Sequence, residues 1–110
     1  MIDWNKVLEL RGEIGDEDFS DVVDLFLEEV DEAMTQLRAG LPQEKWECCL
    51  HFLKGSALNL GFQAFSALCA SGEAAAAAGD FAAVDMGQVI ASYDASKAAF
   101  LAELDQRLAA

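Results

Sequence analysis

The chain has one histidine, one proline, one tyrosine and only 7 lysines and arginines among its 110 residues. Set against 20 acidic residues, those bases leave a net charge of −13. Such a surface repels polyanions and anionic headgroups at every approach, which excludes nucleic acid and membrane surfaces as partners. No apolar run approaches the roughly 20 residues of a membrane span. Met1-Ile2-Asp3-Trp4 lacks the basic and apolar regions of a signal peptide, so a cytoplasmic protein is expected. The three cysteines, Cys48, Cys49 and Cys69, are odd in number and have no paired spacing. They suit small buried side chains in a reducing compartment better than a disulfide framework.

What is present is apolar and helix-forming. Hydrophobic residues make up 54% of the chain, with alanine and leucine dominant, the profile of a helical domain. A chain of this length can bury about two-thirds of its unfolded surface without metals or cross-links. The expectation is one domain over residues 1–110 with a self-contained core, and a monomer.

Capping and breaking residues divide that domain. A short amphipathic lead over about 3–12 (Trp4, Val7, Leu8, Leu10) is interrupted by Gly12 and Gly15. Asp16, Glu17 and Asp18 then place negative charge where a helix N-terminus favours it. Over 16–39, Phe19, Val22, Val23, Phe26, Val30, Met34 and Leu37 recur at helical spacing, and Glu28, Glu29, Asp31 and Glu32 read as a solvated face. Gly40-Leu41-Pro42 forms a turn, with Pro42 suited to a first helical position. A helix follows over 43–60, then another over 63–78 with Phe65, Leu68 and Cys69 inward, closed by Gly79. Asp80 is a suitable N-cap for a last helix over 80–108, with Val84, Ile90, Tyr93, Phe100, Leu104 and Leu108 in the core. Connections this short predict an all-α, antiparallel up-down-up-down four-helix bundle with the short N-terminal helix packed across it.

The histidine sits in an informative neighbourhood. At about 100° per residue, Trp46, Leu50, Leu53, Ala57 and Leu60 form the core side of their helix, and His51 lies about 140° from the centre of that stripe, towards solvent. Lys54, Gly55 and Leu58 follow at i+3, i+4 and i+7 on the same side. Glycine inside a helix costs about 1 kcal/mol relative to alanine. Gly55 therefore calls for a reason, and clearing room for another surface or an anion to reach the imidazole supplies one. Lys54 adds a mobile positive charge that can accompany such an anion. An imidazole in water has a pKa near 6.5, so at about pH 7 it is largely neutral and nucleophilic. It has no nucleotide-binding glycine loop or set of magnesium ligands beside it.

The string His51-Phe52-Leu53-Lys54-Gly55-Ser56-Ala57-Leu58-Asn59-Leu60-Gly61 resembles the signature of histidine-containing phosphotransfer (HPt) domains of bacterial two-component relays: His-x-Leu-Lys-Gly-Ser, a few mostly small or polar residues, then an apolar residue and glycine. Leu10 to Gly12, Asp16 to Phe19 and Cys69 to Gly79 extend the likeness over most of the chain. The resemblance implies that His51 is phosphorylated on the ring nitrogen farther from the backbone, that Lys54 steadies the phosphoryl group and that Gly55 admits the partner. It implies exchange with an aspartate of a response-regulator receiver domain or a hybrid histidine kinase. The chain would be a phosphoryl carrier with no ATP site or cofactor of its own, the Mg²⁺ belonging to the receiver.

Other residues carry weaker expectations. Ser56 and Asn59 suit hydrogen bonds to the backbone or support of their neighbours rather than contact with phosphate. Leu58 and Phe62 either form an apolar docking patch on the His51 side or part company, with Phe62 turning into the core where the chain reverses at Gly61. Two adjacent cysteines and one histidine give no recognised zinc spacing, so no metal site is expected. Two other functions compete with phosphotransfer. One is a non-catalytic helical adaptor binding through an acidic or apolar helix face, and the other is a redox- or metal-responsive protein using Cys48, Cys49 and His51.

Overall fold

The computed structural model describes the backbone of residues 2–109 and the side chains of residues 2–107. Among the described residues the fold is all-helical: α1 Trp4–Ile14, α2 Asp16–Ala39, α3 Trp46–Asn59, α4 Gln63–Ala77 and α5 Met86–Ala109. Short 3₁₀ turns at Gln43–Lys45 and Phe81–Ala83 lead into α3 and α5. No helix of the described residues is long and apolar enough to cross a membrane.

Each helix buries the stripe its spacing dictates. α2 contributes Phe19, Val23, Leu27, Val30, Met34 and Leu37, steps of three and four that keep one face inward. Val22 and Phe26, flanking that stripe, are only partly buried, and Leu27 takes a core place instead. α3 adds Leu50, Leu53 and Ala57, α4 adds Phe65 and Cys69, and Val89, Tyr93 and Phe100 complete the core from α5. Aromatic rings join the last elements. Phe62 lies 5.4 Å from Phe100 and 6.1 Å from Tyr93, centroid to centroid, and Trp4 stacks on Phe100 at 5.6 Å. Trp4 in turn lies beneath the Arg107 guanidinium, which fastens α1 against the end of α5.

Several boundaries differ from the sequence expectation. α1 runs through Gly12 to Ile14, and it is Gly15, at φ +97°, that breaks the chain before α2. Pro42 stands outside α3; its carbonyl accepts from Lys45 N–H in the 3₁₀ turn, and α3 starts at Trp46 and ends at Asn59. Trp46 is half-buried rather than core, because its indole N–H reaches the Leu41 carbonyl at 2.8 Å and its ring meets the edge of Phe81. That contact holds Phe81 in its own turn, so α5 begins at Met86 rather than Asp80. Asp85 caps it, its carboxylate accepting from Gln88 N–H at 3.0 Å. Leu108 lies outside the described side chains.

Asp31, its side chain still 42% exposed, also pairs across to α5. Its carboxylate accepts from the Tyr93 hydroxyl at 2.5 Å and from Lys97 Nζ at 2.7 Å, and Arg38, about two turns farther along α2, pairs with Asp94. These bonds join α2 to α5 at the edge of the core.

The contact that positions the site is between α3 and α4. The chain reverses at Gly61, φ +74°, where Asp3 N–H donates to the Gly61 carbonyl at 2.7 Å. A Cβ on Gly61 would stand 2.5 Å from the Asp3 carbonyl oxygen, so only glycine allows that approach. Farther along the pair, Gly72 is buried, and a Cβ on it would lie 3.1 Å from Leu50 Cδ1. Helices this close at Leu50 and Gly72 bring the next residue of each, His51 and Glu73, within side-chain reach of each other.

Candidate functional site

His51 projects from α3 into solvent with 67% of its side chain exposed. Its Nδ1 lies 2.7 Å from Glu73 Oε2, and the other oxygen of that carboxylate, Oε1, accepts from Lys54 Nζ at 2.7 Å. Glu73 is the more sheltered partner, its side chain only 19% exposed. Hydrogen bonds from Lys54 first and His51 second hold its carboxyl below the ordinary value of 4.5. A carboxylate can only accept, so the neutral imidazole that meets it carries its proton on Nδ1. The lone pair is then on Nε2.

Lys54 is bonded to this carboxylate rather than standing as an isolated cation beside the imidazole. One of its three N–H groups is engaged by Glu73, leaving two for an incoming anion. Its stretch of helix is tied down from α4, where the Ser66 hydroxyl donates to the Lys54 carbonyl at 3.1 Å. Ser56, two residues on from Lys54, is half-buried. Asn59 is exposed and faces α1, sharing a shallow cleft with Lys6 and Glu13.

Gly55 is exposed, and a Cβ built on it would meet nothing within 4 Å outside its own helix. No packing within the chain asks for glycine there. Leu58, 47% exposed, shares that open side, whereas Phe62 is fully buried among Tyr93 and Phe100. Leu58 and Phe62 therefore form no common patch: the reversal at Gly61 breaks helical phase, and the ring fills the core.

The family model described as Hpt domain matches residues 21–110. The chain belongs to the HPt domain family. Members of that family act in histidine phosphotransfer within two-component phosphorelays, as carriers rather than ATP-using enzymes. The match takes in α3, α4 and α5 whole and α2 from Asp21 onward, leaving α1 outside it. No curated protein and no solved structure matches the chain.

In this HPt domain the thiols stand apart in environment. Cys48 is exposed, Cys49 half-buried and Cys69 buried. Burial pushes the Cys69 thiol up to about 12, which leaves it protonated and inert. Among the described residues no group of three or more histidine, cysteine and acidic side chains is arranged to hold a metal ion.

Glu73 is the site residue that the sequence reading missed. One signal was there: it is the only charged residue in α4, a helix otherwise of small, apolar and neutral side chains. An isolated carboxylate in such a helix needs a partner, and here it has two.

Proposed function

We propose that His51 is the phosphorylated residue of this HPt domain and that it exchanges a phosphoryl group with the aspartate of a receiver domain, free or within a hybrid histidine kinase. The observation that carries the proposal is the exposed imidazole held at Nδ1 by Glu73, which leaves Nε2 as the nucleophile. In the transfer, the P–O bond of the partner's aspartyl phosphate breaks as the P–Nε2 bond forms, and the carboxylate returns to the partner. Glu73 faces the positive charge that the ring acquires, and the free N–H groups of Lys54 accompany the phosphoryl oxygens. The absent Cβ at Gly55 leaves the approach clear.

On this reading residues 1–110 act as one domain, an up-down-up-down antiparallel bundle that works as a cytoplasmic monomer. The receiver supplies Mg²⁺ and most of the charge stabilisation, and this chain supplies a positioned nucleophile. The test is transfer of labelled phosphate from phosphorylated receiver domains. Wild type takes up an acid-labile, base-stable label and His51→Gln takes up none. Label retained by His51→Gln would overturn the assignment, and undiminished binding without any transfer by wild type would favour an adaptor.

A further inference from the structure

We propose that the face beside His51 selects its partner by charge, Glu44 and Glu47 forming an acidic rim that pairs with lysine or arginine on the incoming receiver. The proposal rests on the phosphotransfer reading and adds to it the chemistry of the partner's surface. The hollow in front of His51 is lined by Glu44, Glu47, Cys48 and Glu73. Glu73 is engaged by Lys54 and His51. Glu44 and Glu47 are exposed, and among the described residues neither has a cationic partner.

Two unpaired carboxylates beside a nucleophile that must receive an anion oppose the anion's approach. They favour transfer only when the donor arrives with positive charge of its own to set against them. The net charge of −13 works in the same direction, steering basic surfaces towards the chain and acidic ones away.

The rim adjoins an apolar groove between α2 and α3. Cys48 is common to both, and Ala33, Gln36, Leu41, Lys45, Cys49 and Phe52 line the rest of the groove. Phe52 follows His51 directly and is 41% exposed. A partner helix with an apolar ridge for this groove and basic residues on the edge nearest His51 matches both features. With Phe62 in the core, this groove and the exposed Leu58 offer apolar contact beside His51.

The double variant Glu44→Lys/Glu47→Lys tests the rim with two donors of opposite kind. The first is phosphoramidate, a small anion whose P–N bond breaks as the P–Nε2 bond forms and ammonia leaves. The second is a panel of the source organism's receiver domains, phosphorylated in advance. Relative to wild type, the variant should take phosphate from phosphoramidate several-fold faster, and from receivers with kcat/KM lowered about tenfold, mainly through KM. Both differences should shrink as NaCl rises from about 50 to about 500 mM.

Binding of the same receivers to His51→Gln, read by titration and by protection of Cys48 from a thiol reagent, tests the rim independently of phosphate chemistry. Loss of that binding in the His51→Gln/Glu44→Lys/Glu47→Lys chain supports the rim even where no label moves. Receiver transfer and binding unchanged by the lysines at low salt would overturn the proposal. So would both donors shifting in the same direction, or no receiver in the panel binding at all.

Discussion

The Glu73 carboxylate reaches across from α4 to accept the Nδ1 proton of His51 at 2.7 Å while its other oxygen holds Lys54. One side chain thereby orients the imidazole and restrains the cation next to it. Its position follows from the close contact of α3 and α4 at Leu50 and Gly72, one residue before each partner.

If Glu73 sets the tautomer, Glu73→Ala should leave the helical fold intact and slow transfer to His51 by between about tenfold and a hundredfold, the usual consequence of a nucleophile losing its alignment. Glu73→Gln, which can still accept from Nδ1 but lacks the charge, should fall between. Nitrogen-15 spectra of the imidazole give the decisive reading: a single Nδ1–H form in wild type and a mixture of tautomers in Glu73→Ala. The same mixture in wild type would remove Glu73 from this role.

Gly55 sets stability against access. Because a Cβ there meets nothing outside its own helix, Gly55→Ala should stabilise the domain by about 1 kcal/mol through helix propensity. That corresponds to a rise in Tm of roughly 4 °C for a domain of this size. Larger side chains should keep the fold and slow transfer progressively, which circular dichroism and a receiver transfer assay together would show. Transfer by Gly55→Leu at the wild-type rate would mean that the glycine does not serve the approach of a partner.

Acid should loosen the fold through Asp31. Burial is the strongest single influence on its carboxyl and raises its pKa. Hydrogen bonds from Lys97 and Tyr93, with the charges of Lys97 and Arg38, outweigh it and bring the group below its ordinary 3.8. Glu73 is likewise depressed below 4.5 by Lys54 and His51. For groups shifted this way the unfolded chain binds protons more readily. Their contribution is therefore full above the ordinary carboxylate values and is lost as pH falls through the folded-state values. Thermal midpoints should be nearly level from about pH 7 to 5 and decline below about pH 4. Asp31→Asn should start lower at neutral pH and decline less steeply. An acid slope equal to that of the parent would show that other carboxylates carry the linkage.

Much of the architecture was legible because it depends on near neighbours. The stripe from Phe19 to Leu37 and the breaks at Gly15, Gly40, Gly61 and Gly79 all act within a few residues, where spacing and backbone freedom suffice. The start of α5 was misplaced because a distant ring decided it: Phe81 meets Trp46 and stays out of the helix, so Asp85 rather than Asp80 caps. The pairing of Asp31 was not legible for the same kind of reason, its partners Tyr93 and Lys97 being more than 60 residues away.

By itself the amino-acid sequence determined the helices, the solvent-facing phase of His51 and the company of Lys54 and Gly55 one turn on, because 3.6 residues per turn is a local rule. The tertiary structure alone decided that Phe62 is core, that Glu73 holds the imidazole and the lysine together, and that Glu44 and Glu47 share the hollow of His51. Those relations depend on how separate segments pack and on where the chain turns between them, which no helical period specifies.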